Sequence, residues 1–234
     1  SGADRESLSI EPAAPALGRA IRLFSQARVK MRVNRWVQSL VSVADPTRLL
    51  ALHRRLQVAV EATAGPGVRV THRTQIFNHS HAPERLILGA HVLLDCTLEI
   101  YEDGTLTIGD HSNIGRARIY ASRSVAIGRW VYVSDNCAIM DSDLHPMRAS
   151  LRRATSEAWA QGRFPDVYSG VRSAPVSIGD HAWLGFGCAV LKGVRVGEGA
   201  IIAAGSIVTH DVPDWTIAAG KPAAVIRELT RDER

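Results

Sequence analysis

From residue 176 onward the hydrophobic positions recur every sixth residue. The stretch reads "VS-IGDHAW-LGFGCA-VLKGVR-VGEGAI-IAAGSI-VTHDVP", with Ile178, Leu184, Val190, Val196, Ile202 and Val208 in phase. Glycine follows three of them, as Gly179, Gly185 and Gly197. In an α-helix every sixth residue advances by about 600°, a net 240°, so these positions could not share one helical side. Antiparallel strands would not interpose turns so often. A period of six instead predicts short flat strands stacked coil upon coil, a parallel β-helix. The same count occurs earlier in "IGDHSN-IGRARI-YASRSV", through Ile108, Ile114 and Tyr120. After a one-residue slip it resumes in "IGRWVY-VSDNCA-IMDSDL", through Ile127, Val133 and Ile139. Leu88, Leu94, Ile100 and Leu106 extend it weakly backwards.

The N-terminal part has another rhythm. Leu17, Ile21, Phe24, Val29, Val33, Trp36, Val37, Leu40 and Val41 recur at helical spacings, with Arg and Lys between them. Asp45-Pro46-Thr47 reads as a break and restart, with Asp45 as cap and Pro46 in the first turn. A second helix then runs through Leu49, Leu52, Leu56 and Val60, and "AGPG" at 64–67 ends it. The expected organisation is a helical segment over 1–65, a β-helix over 66–222, and a short helix with tail over 223–234. Residues 146–175, "PMRASLRRATSEAWAQGRFPDVYSGVRSAP", have no six-residue phase and read as a loop extruded from the coil. The fold class is therefore mainly β, with α-helices at the N-terminus and one at the C-terminus.

Composition changes this picture little. Hydrophobic residues make up 46%, ordinary for a globular chain, and no apolar run is long enough to span a bilayer. The opening "SGADRES" does not read as a signal peptide. Cys96, Cys137 and Cys188 are odd in number and lack metal spacing, so they are expected as unpaired core residues of a cytoplasmic protein. Charge matters more. Residues 1–60 hold ten Lys/Arg against four Asp/Glu, exceeding the net +5 of the whole chain. These basic helices have two readings. They cap the open end of the β-helix, favoured by the Trp36–Val41 stripe that asks for burial, or they make a peripheral contact with anionic membrane. Nucleic acid is not expected as a partner, because no motif organises the charge.

The hexad pattern resembles the hexapeptide-repeat acyltransferases, over about residues 86–230. The most specific part is "IGDHAWLGFGCAVLKGVRVGEGAIIAAGSIVTHDVPDWTIAAGKPAAVIREL". The resemblance implies a left-handed β-helix, three hexads to a coil and five to six coils in all, assembled as a homotrimer. It also implies acetyl-coenzyme A as co-substrate, in a groove between adjacent β-helices, and no metal. The run "DSDLH" at 141–145 is similar to that of the polysaccharide-modifying branch, so His145 is expected as general base on a carbohydrate acceptor. The chemistry fits: an alcohol is a poor nucleophile at neutral pH, and a neutral imidazole can take its proton. Asp143, with Asp141 as a weaker candidate, would hold the imidazole in the right tautomer. Trp183, Gly185, Phe186, Ala204, Thr209, His210, Lys221 and Arg227 match the coenzyme-binding positions, with His210 where Lys is usual. Trp159, Phe164 and Tyr168 in the loop would bind the sugar, or simply pin the loop. The asparagine that relatives place before the histidine falls near Ile114–Gly115, with Asn113 just off it.

Four functional classes follow. They are an O-acetyltransferase on a sugar hydroxyl, an N-acetyltransferase on an amino sugar or other small amine, a γ-type carbonic anhydrase, and a non-catalytic scaffold. The third needs two histidines five apart, and the nine histidines include no such pair. The first is the reading adopted.

Overall fold

The computed structural model describes residues 46–163 and 170–234. The first basic helix, the Asp45 cap, Phe164 and Tyr168 lie outside the described residues. Helix α1 spans Pro46–Glu61, with proline at its first position, where the missing N–H costs nothing. Its last turns cover the first coil. Val58 and Ala62 are buried in the main core, Gln57 Nε2 donates to the Ile76 carbonyl (2.6 Å), and Asn78 Nδ2 donates to Glu61 (2.9 Å). The end of this helix packs on the first coil, while the Trp36–Val41 stripe behind the capping expectation lies outside the described residues.

Beyond it the chain winds into a three-sided parallel β-solenoid, consistent with the left-handed β-helix expected from sequence. Face 1 stacks Thr63–Ala64, Leu86–Leu88, Leu106–Ile108, Val125–Ile127, Val176–Ile178 and Arg195–Val196. Face 2 stacks Arg69–Val70, Leu93–Leu94, Asn113–Ile114, Tyr132–Val133, Trp183–Leu184, Ile201–Ile202 and Thr216–Gly220. Face 3 stacks Gln75–Asn78, Thr97–Ile100, Arg118–Ala121, Ala138–Met140, Ala189–Val190 and Ile207–Val208. Six full coils result, the first opening at Thr63 and not at residue 66. The residues counted in sixes point inward: Ile178, Leu184, Val190, Val196, Ile202 and Val208 are all buried. The exception is Tyr120. Residues 115–117 make a tighter corner, closed by the Ala117 N–H on the Gly115 carbonyl (2.6 Å), so the inward position arrives one residue early. Ile119 fills it, in register with Ile139, and Tyr120 turns outward beside Met140.

The corners explain the histidines. Between faces 1 and 2, His91, His111, Trp130, His181 and Trp215 hold φ of 55–61°, a left-handed conformation for which histidine is among the better-tolerated residues. His111 stacks on Trp130 with ring centres 4.0 Å apart. The neighbouring aspartates join successive coils: Asp180 Oδ1 accepts the Arg129 N–H at 2.8 Å. Gly128 makes room for that carboxylate, since a Cβ there would lie 2.4 Å from Asp180 Oδ1. The three cysteines are buried and unpaired, and burial pushes the Cys96 thiol well above its ordinary value. Cys137 Sγ and Cys188 Sγ each lie 3.2 Å from a carbonyl of the following coil, Gly185 and Ala203.

Two predicted elements are revised. The C-terminal helix is a strand: Ala223–Glu228 pairs antiparallel with Thr216–Gly220, and only Arg231–Glu233 is helical, as a single 3-10 turn. An open sheet edge on face 2 and the β-branched Val225-Ile226 pair outweigh helical propensity there. The excursion between Met140 and Val176 is not all loop. It carries helix α2, Ala149–Ala160, whose one buried residue is Ala158. No described helix is long and apolar enough to cross a membrane.

Candidate active site

The excursion leaves the coil at the vertex between faces 3 and 1, and its base is stitched shut. Asp141 is fully buried, and its carboxylate accepts the backbone N–H groups of Ser122 (2.8 Å), Arg123 (2.7 Å) and Ser124 (2.6 Å) from the preceding coil. Its carbonyl accepts the Ala174 N–H from the returning chain (2.8 Å). Ser142 pairs with Ser173 in an antiparallel bridge, and the Asp143 N–H donates to Arg172 (3.0 Å). Asp141 is thus a structural anchor and does not orient the imidazole.

His145 follows directly. Its N–H donates to the Asp143 carbonyl (2.7 Å), closing a γ-turn around Leu144, whose φ is +59°. Pro146 is buried and His145 is exposed, so a pinned backbone presents a free imidazole, which hydrogen-bonds no other described residue. The expected carboxylate–imidazole pair is absent among the described residues. The Asp143 carboxylate is occupied by Lys192 Nζ, from the next coil, and by Arg172 Nε at 3.0 Å. Two charge-assisted bonds to cations outcompete one to a neutral ring. Asp143 therefore acts on His145 through the backbone.

The hydrogen bond from Lys192, assisted by Arg172 and opposed by partial burial, holds the Asp143 carboxyl below the usual carboxylate range. A depressed folded-state value gives a contribution that is complete above the unfolded pKa, about 3.9, and is lost as pH falls through the lower folded value. The clamp is expected to stay closed from neutral pH down to about 4 and to open only below it. NMR signals of the Lys192 and Arg172 side chains would follow this, and a transition centred near pH 6 would assign the clamp to another group.

The donor-side candidates divide. Trp183 and Phe186 are exposed and line an open groove of about 400 Å³ on face 2, together with Asn113, Tyr132, Ser134 and Asp135. Trp183 Nε1 donates to Ser134 Oγ (3.3 Å). Ala204 stands one coil beyond Phe186 at the same vertex, where Gly205 N–H donates to the Phe186 carbonyl (2.8 Å). Gly185 is buried, and a Cβ there would come within 2.8 Å of Ala204 N and Ile202 O. Its smallness serves coil stacking. Thr209 and His210 lie at the face 3–face 1 vertex, joined by a 2.8 Å contact between Oγ1 and Nδ1. Lys221 is exposed at the terminal hairpin turn. Arg227 is paired through both terminal nitrogens with Glu233, each at 2.7 Å, which brings the Glu233 carboxyl down to about 2.

Strand register ties several of these into one column. Asn113, Tyr132, Trp183, Ile201, Ile217 and Arg227 follow one another across face 2. Three strand spacings, roughly 14 Å, separate Trp183 from Arg227. Asn113 is therefore on the groove, though the hexad alignment placed it off register. Tyr132, Lys192 and Arg172 were missed. Tyr132 was legible, since it precedes inward Val133 as Trp183 precedes Leu184. Trp159 is exposed on α2. Among the described residues no cluster of three His, Cys, Asp or Glu could hold a metal ion. In one chain the column and His145 lie on opposite sides, because the face 3–face 1 vertex is the one that face 2 does not touch.

Comparison with known proteins agrees with the coiled fold. Residues 175–210 match the family model described as hexapeptide repeat of succinyl-transferase. A Staphylococcus aureus protein named "Putative acetyltransferase SAV2555" is 33% identical over 116 residues, 47% of this chain and 57% of its own. The chain thus spans little more than half the length of that relative. The Saccharomyces cerevisiae protein "Putative acetyltransferase YJL218W" is 46% identical over 59 residues, 25% of this chain and 30% of its own. Among solved structures, AntD, an N-acyltransferase from Bacillus cereus in complex with dTDP and 3-hydroxybutyryl-CoA, superposes with a TM-score of 0.59 at 21% identity, covering 76% of this chain and 89% of AntD. That likeness concerns the fold. The six-residue spacing and the stacked coils agree with the match at 175–210, so that stretch is a hexapeptide-repeat segment within the β-solenoid.

Proposed function

We propose that the protein transfers an acetyl group from acetyl-coenzyme A to a hydroxyl of a carbohydrate, with His145 as general base. The observation that carries the reading is the pinned, solvent-facing His145 at the mouth of the excursion. In the reaction the imidazole takes the acceptor proton as the hydroxyl oxygen attacks the thioester carbonyl. A C–O bond forms and the carbonyl oxygen becomes an oxyanion, stabilised by backbone N–H groups of the facing coil. Collapse breaks the C–S bond, and the departing thiolate takes the proton from the imidazolium. The names of the curated relatives support acetyl transfer, and the acyl-CoA held by AntD supports a coenzyme A thioester as donor.

On this reading Trp183, Phe186 and Ala204 line the donor's pantetheine, and Arg227 stands where the phosphates end, once it exchanges Glu233 for them. Because His145 lies across the coil from that groove, the donor on one copy meets His145 of another. A homotrimer meets this need by closed symmetry. The test is release of free thiol from acetyl-coenzyme A with sugar alcohols and with amino sugars, run across protein concentrations. The expected result is turnover on hydroxyl acceptors, with activity per chain falling on dilution. Exclusive use of amines would move the reaction to nitrogen, and no turnover with either class would sink the proposal.

A further inference from the structure

We propose that the acceptor brought to His145 is an anionic oligosaccharide, held along one side of α2 by Arg148 and Arg152, with Trp159 stacking on a sugar ring. This rests on the acyl-transfer reading of the same site and names its substrate class. The first support is where charge falls. Residues 1–60 account for more than the chain's whole positive excess, so the remainder is slightly acidic. Within that remainder, residues 146–175 hold five arginines against Glu157 and Asp166. The excursion is a basic island on an acidic β-helix, and it begins at the residue after His145.

The second support is its arrangement. Arg148, Arg152, Thr155 and Trp159 follow at four, seven and eleven residues, which places them on one side of α2. Ala158, the one buried residue of the helix, lies roughly 60° to 120° away around it, so the stripe borders the buried side without being covered by it. Trp159 is 45% exposed and stacks on no ring among the described residues, a large cost for an indole. Arg148 makes no ion pair with another described residue. Arg152 uses Nη1 on the carbonyls of Pro146 (2.9 Å) and Met147 (2.6 Å), which fixes it beside His145. Its remaining nitrogens are left without a partner among the described residues.

The third support is that these charges oppose local stability. The start of a helix is electropositive and favours acidic residues. The first turn of α2 has none, and arginines stand at its N-cap, fourth and fifth positions instead. Side chains that cost a helix stability while most of their donors stay unpaired among the described residues are those expected to meet a ligand. Its charge must be negative, and carboxylate, phosphate and sulfate all fit a guanidinium fork. From Arg148 to Trp159 the stripe runs roughly 16 Å, longer than a single sugar ring.

The experiment compares a uronic-acid oligosaccharide, its carboxyl-reduced neutral form and a hexose phosphate, as acetyl acceptors and as ligands by calorimetry with coenzyme A present. The expected kcat/KM for the uronate is at least about tenfold above that for the reduced form, one or two charge-assisted hydrogen bonds' worth. In the Arg148→Gln/Arg152→Gln double variant that ratio should fall close to one, and added salt should raise KM for the uronate alone. A larger preference for the hexose phosphate would overturn the oligosaccharide, since a single ring would then suffice. Equal use of charged and reduced saccharides, or a ratio that survives in the double variant, would overturn it while leaving acetyl transfer intact. Arginine-dependent binding of the charged saccharides without any transfer would do the reverse. Absence of both binding and transfer would remove the proposal altogether.

Discussion

His145→Ala is expected to lower kcat by about 10²- to 10⁴-fold, the range a positioned general base supplies. The KM for acetyl-coenzyme A should stay within about twofold, because the residues lining the aromatic groove do not include His145. The structure makes this variant unusually clean. The imidazole is exposed and bonds no other described residue, so its removal orphans no buried group. Stability should therefore remain within about 0.5 kcal/mol of the parent, as for ordinary surface substitutions. The γ-turn uses only the main chain of residues 143–145 and survives the change. A variant with turnover within a few-fold of the parent on the same acceptor would end the case for His145 as base.

Asp141→Ala should produce the largest loss of stability of any single polar substitution in the described chain. The carboxylate is wholly buried and satisfies three backbone donors of residues 122–124. Alanine would leave all three without that acceptor, at a vertex where Ser122 and Ser124 are half-buried. At roughly 1–3 kcal/mol per orphaned group, partly relieved by relaxation, a loss of about 3–5 kcal/mol follows. For a unit of this size that is a fall in Tm of roughly 10 °C. Asp141→Asn keeps one acceptor oxygen but turns an NH₂ towards the remaining donors, so it should recover only part of the loss. Thermal unfolding of the two variants checks the ranking. A Tm for Asp141→Ala within about 2 °C of the parent would show that those donors find other partners.

Much of the architecture could be read from spacing. The six-residue count fixes three faces, because each aliphatic must reach one narrow interior, and from Ile178 to Val208 it holds without a slip. It fails where a corner changes length, as at 115–117, since the outward Tyr120 is apolar enough to pass for the inward Ile119. The C-terminal strand was missed because a short run such as "AAVIREL" suits either structure, and the open edge on face 2 decides between them. At the site, His145 stood out as the last residue before the phase broke. The Asp143 clamp did not, because Lys192 is 49 residues away and meets it only through coil stacking. Register would have supplied Tyr132, and nothing in local sequence would have supplied Arg172.

The bridge between Ser142 and Ser173 has an evolutionary corollary. It leaves the two ends of a thirty-residue insertion as near neighbours, already joined by main-chain bonds to the scaffold. A solenoid whose coils touch only their neighbours can exchange such an insert without disturbing its stacked interior. Acceptor preference and scaffold durability are thereby decoupled. A lineage, or a protein engineer, could graft a different segment between Pro146 and Arg172 and redirect acceptor choice while His145's own turn stays in place.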